Sequence, residues 1–192
     1  ACLPWGWRNY NSFKTVFFIR SNFGLELRMG NSEGAAATFA EMEAMGTHFR
    51  HPRADGSEAH KLIELGEVDY MRQAGDEALA WISAHPSEFL RLTARRFANL
   101  WAGPIHRPVE EFLGVLALTA LAIIGAWRSF HWITTPQRAA FLIPMVTYPL
   151  IYHLVAYLPR YRIPVDWLLY ILAGAAVWQL IDVSLRSGSA AT

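Results

Sequence analysis

Three apolar runs dominate the last part of the chain: FLGVLALTALAIIGAW from Phe112 to Trp127, AAFLIPMVTYPLIYHLVAYL from Ala139 to Leu158, and VDWLLYILAGAAVWQLI from Val165 to Ile181. A helix rising 1.5 Å per residue needs about 20 residues to cross hydrocarbon. The first run falls short of that, but its edges extend into Glu110, Glu111 and Arg128. Charges are nearly absent within the runs and gather at their ends, as expected when an Arg at the bilayer centre costs about 2.5–3.5 kcal/mol. Three buried helices of a soluble core are the alternative. Runs this long without a polar face argue against it, because a surface helix carries an apolar stripe. The expectation is three transmembrane helices over about 112–128, 139–158 and 164–182.

Working outward, the charge distribution divides the chain. Residues 1–110 hold twelve Lys or Arg and thirteen Asp or Glu, while the remainder holds five Arg and three acids. The formal net charge of +1 gives no electrostatic footprint for nucleic acid. Cys2 is the sole cysteine, which excludes an internal disulfide. The sequence opens Ala-Cys-Leu-Pro, without an initiator Met and without the charged-then-apolar pattern of a signal peptide in these residues. The expectation is the C-terminal part of a longer polytopic protein, with an extramembrane α+β subdomain over 1–110 and a polar disordered tail over 184–192. The whole is mainly α.

Pro4-Trp5-Gly6-Trp7-Arg8-Asn9-Tyr10 is rich in rings that favour the headgroup layer. It reads as an interfacial linker or as a loop lining a polar cleft. Val16–Ile19 is β-branched and aromatic, and Leu25, Leu27 and Met29 alternate with Glu26 and Arg28. With turn residues over 21–24, this predicts a short β-hairpin ended by Gly30-Asn31. Arg20, Asn22, Glu26 and Asn31 cluster around it. They satisfy turn backbone and pair at the surface, or they hydrogen-bond a sugar or phosphate, and spacing alone favours the first.

His48, His51 and His60 do not assemble a metal shell, because no Cys or tight carboxylate pair completes the ligands. About three helices follow: Ser57–Leu65 with Ser57 as N-cap, Glu67–Ala84, and Pro86 to about Trp101. The third interleaves Phe89, Leu90, Phe97, Leu100 and Trp101 with Arg91, Arg95 and Arg96. It lies along a membrane surface or packs on the subdomain.

In the second apolar run, Pro144 and Pro149 remove backbone donors, and His153 is an ionisable group expected to face the bundle interior. Gly174, Ala175 and Ala176 in the third permit close helix packing. The basic turn Pro159-Arg160-Tyr161-Arg162 sits between the two runs. Three crossings put it on the side of residues 1–110. An Arg pair kept at an external interface suits a lipid phosphate, whose oxygens the planar guanidinium binds in pairs.

Several stretches together resemble a bacterial polytopic glycosyltransferase in its C-terminal portion. They are Arg8-Asn9-Tyr10, Ile19 to Leu27 with Gly30-Asn31, the helix from Pro86 to Trp101, and Arg160-Tyr161-Arg162-Ile163-Pro164. The family is similar to the dolichyl-phosphate-mannose–protein mannosyltransferases and the aminoarabinose transferases of lipid A, and the likeness covers nearly the whole chain. It implies inverting transfer of a sugar from a polyprenyl-phosphate donor at the outer face of the bacterial cytoplasmic membrane. Residues 1–110 then lie on the outer side. It also implies that the catalytic carboxylate lies in a first external loop outside this sequence, so no residue here takes that role. No cofactor is implied, and the acceptor is not identified. Such chemistry needs cations for the departing phosphate. Arg160 and Arg162 are the expected ligands, with Arg20, Asn22, Glu26 and Asn31 bordering the same cavity. The rival reading is a non-enzymatic three-span membrane protein whose external subdomain binds a partner.

Overall fold

The computed structural model describes residues 2–17, 21–46, 50–104 and 108–189, with side chains to residue 183. It is mainly helical, and no strand forms among the described residues. The helices are α1 (Leu3–Phe13), α2 (Phe23–Gly30), α3 (Phe39–Ala44), α4 (Gly56–Leu65), α5 (Glu67–Ala84), α6 (Pro86–Ala102), α7 (Val109–Ser129), α8 (Thr135–Leu154) and α9 (Ile163–Ser189). A 3₁₀ turn over Pro159–Tyr161 precedes α9. Two compact units divide the chain. The first is Ala1–Ala94 with Leu154–Ala156, and the second is Arg95–His153 with Tyr157–Thr192.

In the first unit the expected hairpin is corrected to a helix. Leu25–Met29 lies inside α2, and two residues of the other expected strand, 18 and 19, fall outside the described residues. Helix wins because α2 must approach α5 backbone to backbone. A Cβ on Gly24 would lie 2.0 Å from the Met71 carbonyl oxygen and 2.9 Å from the Gly75 nitrogen. At the far end of α2, a Cβ on Gly30 would lie 2.8 Å from the Ala156 nitrogen. Glycine at both ends is therefore a packing requirement. Tyr70, Ala74 and Ala78 form the buried stripe of α5 at i, i+4 and i+8.

Caps define the other boundaries. Thr38 Oγ1 accepts from the Glu41 N–H at 3.1 Å and starts α3. Asp55, rather than Ser57, caps α4, accepting from the Ser57 N–H at 2.8 Å. Gly66 at φ +76° separates α4 from α5, a conformation that disfavours side chains. The expected Glu67–Ala84 helix has those bounds, and the next starts at Pro86.

The second unit is built on α7 and α9. A Cβ on Gly125 would lie 1.8 Å from the Leu172 carbonyl oxygen, so the two backbones touch there. Ala122, Leu169 and Leu172 form the core beside it, with Met145 and Phe141 packed against them. At the C-terminal end of α7, Arg128 Nε donates to Gln179 Oε1 at 2.8 Å, and Gln179 donates to Ser129 Oγ at 2.9 Å.

Two helices, not three, are long and apolar enough to cross a membrane among the described residues: Val109–Ser129 and Ile163–Val183. Only 11% of the first apolar window and 33% of the second is buried. The middle segment does form a 20-residue helix, α8, but Pro144, Thr147, Tyr148, Pro149, Tyr152 and His153 lower its apolarity.

Candidate functional site

A cleft of about 400 Å³ opens in the first unit, where the end of α1 meets the start of α2 and α5. Asn9 is its buried corner. The Asn9 side-chain amide donates to the Phe17 carbonyl at 2.9 Å, and its oxygen accepts from Arg8 Nη1 at 3.2 Å. Arg8 stays exposed, with its guanidinium 5.5 Å from the Trp5 ring. Ser21 donates its hydroxyl to the Glu67 carboxylate at the opposite wall. Asn22, at the N-cap of α2, donates to Glu26 Oε1 at 3.2 Å. Phe13 and Phe17 supply two tilted rings with centroids 5.4 Å apart. A cation, a carboxylate, amides and ring faces in one concavity suit a polar, hydroxyl-bearing or anionic ligand.

The first unit also holds a buried ionic network. Arg28 donates to Glu58 at 2.7 Å, to the Tyr70 hydroxyl at 2.8 Å, to Glu77 at 3.1 Å and to the Arg50 carbonyl at 2.9 Å. Tyr70 in turn donates to Glu58 at 2.7 Å. Burial acts to raise the Glu58 pKa. Hydrogen bonds from Tyr70, Lys61 and Arg28 outweigh it and lower the carboxyl to about 2. Burial and the bond to Glu58 push the Tyr70 hydroxyl up to about 12. These groups hold one another in fixed charge states, which suits a structural knot.

The expected site residues separate into different roles. Asn22 lines the cleft, and Glu26 holds its amide. Asn31 is fully buried and works as a brace, donating to the Leu27 and Leu154 carbonyls at 2.8 Å each. Arg20 lies outside the described residues.

In the second unit the two turn arginines diverge. Arg160 is exposed, with its guanidinium 5.7 Å from the Tyr161 ring. Arg162 is only 4% exposed. Its Nε donates to Asp166 at 2.6 Å, its Nη1 to the Leu100 carbonyl at 3.2 Å, and its Nη2 to Thr119 Oγ1 at 3.0 Å. The expectation that both arginines face a lipid phosphate is corrected accordingly. Arg162 caps the last turn of α6 and ties it to α7 and α9, so its donors are already engaged.

An apolar groove of about 610 Å³ also runs along the second unit, bordered by Trp101, Ile123, Phe130, Leu142 and Leu169 among others. Its hydroxyl, on Thr119, already donates to the Trp101 carbonyl at 2.6 Å. Among the described residues no three His, Cys, Asp or Glu side chains gather as a metal site would require.

Arg8 and Asn9 belong to the short Arg8-Asn9-Tyr10 run that the sequence already singles out. Ser21 and Glu67 meet across 46 residues of sequence, and no local pattern announces such a pair. No protein-family model matches this chain, and neither a curated protein nor a solved structure matches it. The fold by itself defines a mainly α chain with, among the described residues, two helices of membrane-crossing length and apolarity.

Proposed function

We propose that this chain is part of an integral-membrane glycosyltransferase that moves a sugar from a polyprenyl-phosphate donor to an acceptor at the outer face of the bacterial cytoplasmic membrane. One observation carries the reading. Two of the stretches behind the family resemblance, Arg8-Asn9 on α1 and Ser21-Asn22 at the start of α2, line one polar cleft. Arg8 supplies a cation for a phosphate or sugar oxygen. Asn22 and Glu67 supply paired donor and acceptor groups for hydroxyls, and Phe13 and Phe17 supply ring faces. In the second unit, exposed Arg160 is the lipid-phosphate ligand that remains once Arg162 is committed to the fold. Helices α7 and α9 cross the bilayer in this reading, consistent with their largely uncovered apolar surfaces.

The test is donor binding by the chain reconstituted in lipid nanodiscs, titrated with a polyprenyl-phosphate-linked sugar. Arg8→Gln removes a charged hydrogen-bond donor and is expected to weaken binding about tenfold or more. Equal affinity for wild type and Arg8→Gln, or no donor binding at all, contradicts the proposal.

A further inference from the structure

Helix α1 has almost no protein around it. Of its eleven residues only Asn9 is buried. Leu3, Trp7 and Tyr10, at i, i+4 and i+7, are 77%, 70% and 47% exposed and share one face. Cys2, at the N-cap, makes no side-chain capping bond, and Gly6 sits inside the helix. In water such a segment has little to hold it, since isolated helices shorter than about 12–15 residues are marginal even with good formers. Something else must cover this face.

Its chemistry selects the cover. Trp and Tyr rings favour the boundary where one edge meets hydrocarbon and the other meets water. The segment Leu3–Lys14 carries Arg8 and Lys14 and no carboxylate, which complements anionic headgroups. Among the described residues, the same chain holds two helices apolar enough to cross a bilayer. Lys14, at φ 54°, donates its N–H to the Tyr10 carbonyl and ends the helix, leaving its ammonium at that end.

We infer that α1 is an interfacial helix whose Leu3–Trp7–Tyr10 face is seated in the headgroup layer of an anionic bilayer. This rests on the membrane reading of α7 and α9 and is independent of sugar transfer. The membrane, on this account, orders α1 and with it the Arg8–Asn9 wall of the cleft.

Cys2 is exposed and is the natural probe, because it is the sole cysteine and adjoins the helix. The full chain is reconstituted in nanodiscs of phosphatidylethanolamine and phosphatidylglycerol, and a nitroxide is attached to Cys2. The expected result is several-fold fewer collisions with nickel-EDTA-diacetate than for the same nitroxide on glutathione in buffer, with oxygen collisions raised. The double variant Trp7→Glu with Tyr10→Glu, co-eluting with the discs, is expected to return the label to the aqueous value. Aqueous collision rates in the wild type overturn the inference. So does a label that stays in lipid in the double variant, or dipolar broadening between Cys2 labels, which would show a second copy on this face. Failure of the wild type to enter the discs overturns it together with the membrane reading. Loss of donor binding alone does not touch it.

Discussion

The Arg28 guanidinium and the Glu58 carboxylate meet at 2.7 Å with 3% and 2% of their side chains exposed. They join α2 to α4, and the Tyr70 hydroxyl closes the triangle from α5. Removing Glu58 leaves the buried Arg28 guanidinium with only the partly exposed Glu77 as counter-charge. Glu58→Ala is expected to cost about 3–5 kcal/mol of first-unit stability. Denaturant unfolding followed by circular dichroism measures it, and a loss well under about 1 kcal/mol would mean the charges are solvated.

The same network sets a pH dependence at both ends. The Glu58 pKa is depressed from the ordinary 4.5 to about 2 in the folded chain. Its contribution is therefore complete above about 4.5 and is lost as pH falls towards 2. The Tyr70 pKa is raised from 10 to about 12, so its contribution is complete below about 10 and is lost as pH rises towards 12. Unfolding midpoints across pH are expected to fall in both windows. Glu58→Gln flattens the acid limb, and Tyr70→Phe flattens the alkaline one.

Two glycines are expected to tolerate nothing larger. Gly24→Ala places a methyl 2.0 Å from the Met71 carbonyl oxygen, and Gly125→Ala places one 1.8 Å from that of Leu172. Neither neighbour is a flexible side chain. Each substitution is expected to cost about 3 kcal/mol or more. Gly24→Ala strikes the first unit. Gly125→Ala loosens the α7–α9 pair, whose close approach depends on small residues when lipid surrounds it. Thermal unfolding in detergent resolves the two, because only Gly24→Ala exposes the Arg28 network to early acid unfolding.

Part of this architecture is legible in the sequence, and the reason it fails elsewhere is physical. Helices α5 and α6 are long, begin with Glu67 and Pro86, and carry an apolar stripe, so local rules suffice. The eight residues of α2 are misleading. Leu25, Leu27, Arg28 and Gly30 are all buried, so the helix is covered on more than one side and shows no stripe. Leu-Glu-Leu-Arg-Met then mimics the alternation of a strand. Arg28 looks solvent-facing because the acid that neutralises it lies 30 positions away. Asn31 looks like turn chemistry, yet its amide braces residues 123 positions apart. The cleft was half visible for the same reason. Arg8 and Asn22 belong to short local runs, whereas Glu67 reaches the cleft only through the packing of α5.

The two turn arginines make opposite predictions. Arg162→Gln abandons the Leu100 carbonyl, Thr119 and Asp166 and is expected to cost the second unit about 3 kcal/mol or more. Arg162→Lys does not rescue it, since one ammonium does not span the fork. Arg160→Gln leaves the unfolding midpoint unchanged and weakens polyprenyl-phosphate binding. A stability loss at Arg160 with none at Arg162 would reverse the assignment.

Lipid as the solvent of α7 and α9 underlies both the proposed transfer and the seating of α1. The most direct measurement is the partition of the expressed chain after an alkaline carbonate wash of the cell membranes, followed by its size in detergent-free buffer. The chain is expected to stay in the membrane pellet and to become monodisperse only with detergent. A folded monomer released into the wash and stable without detergent would contradict it.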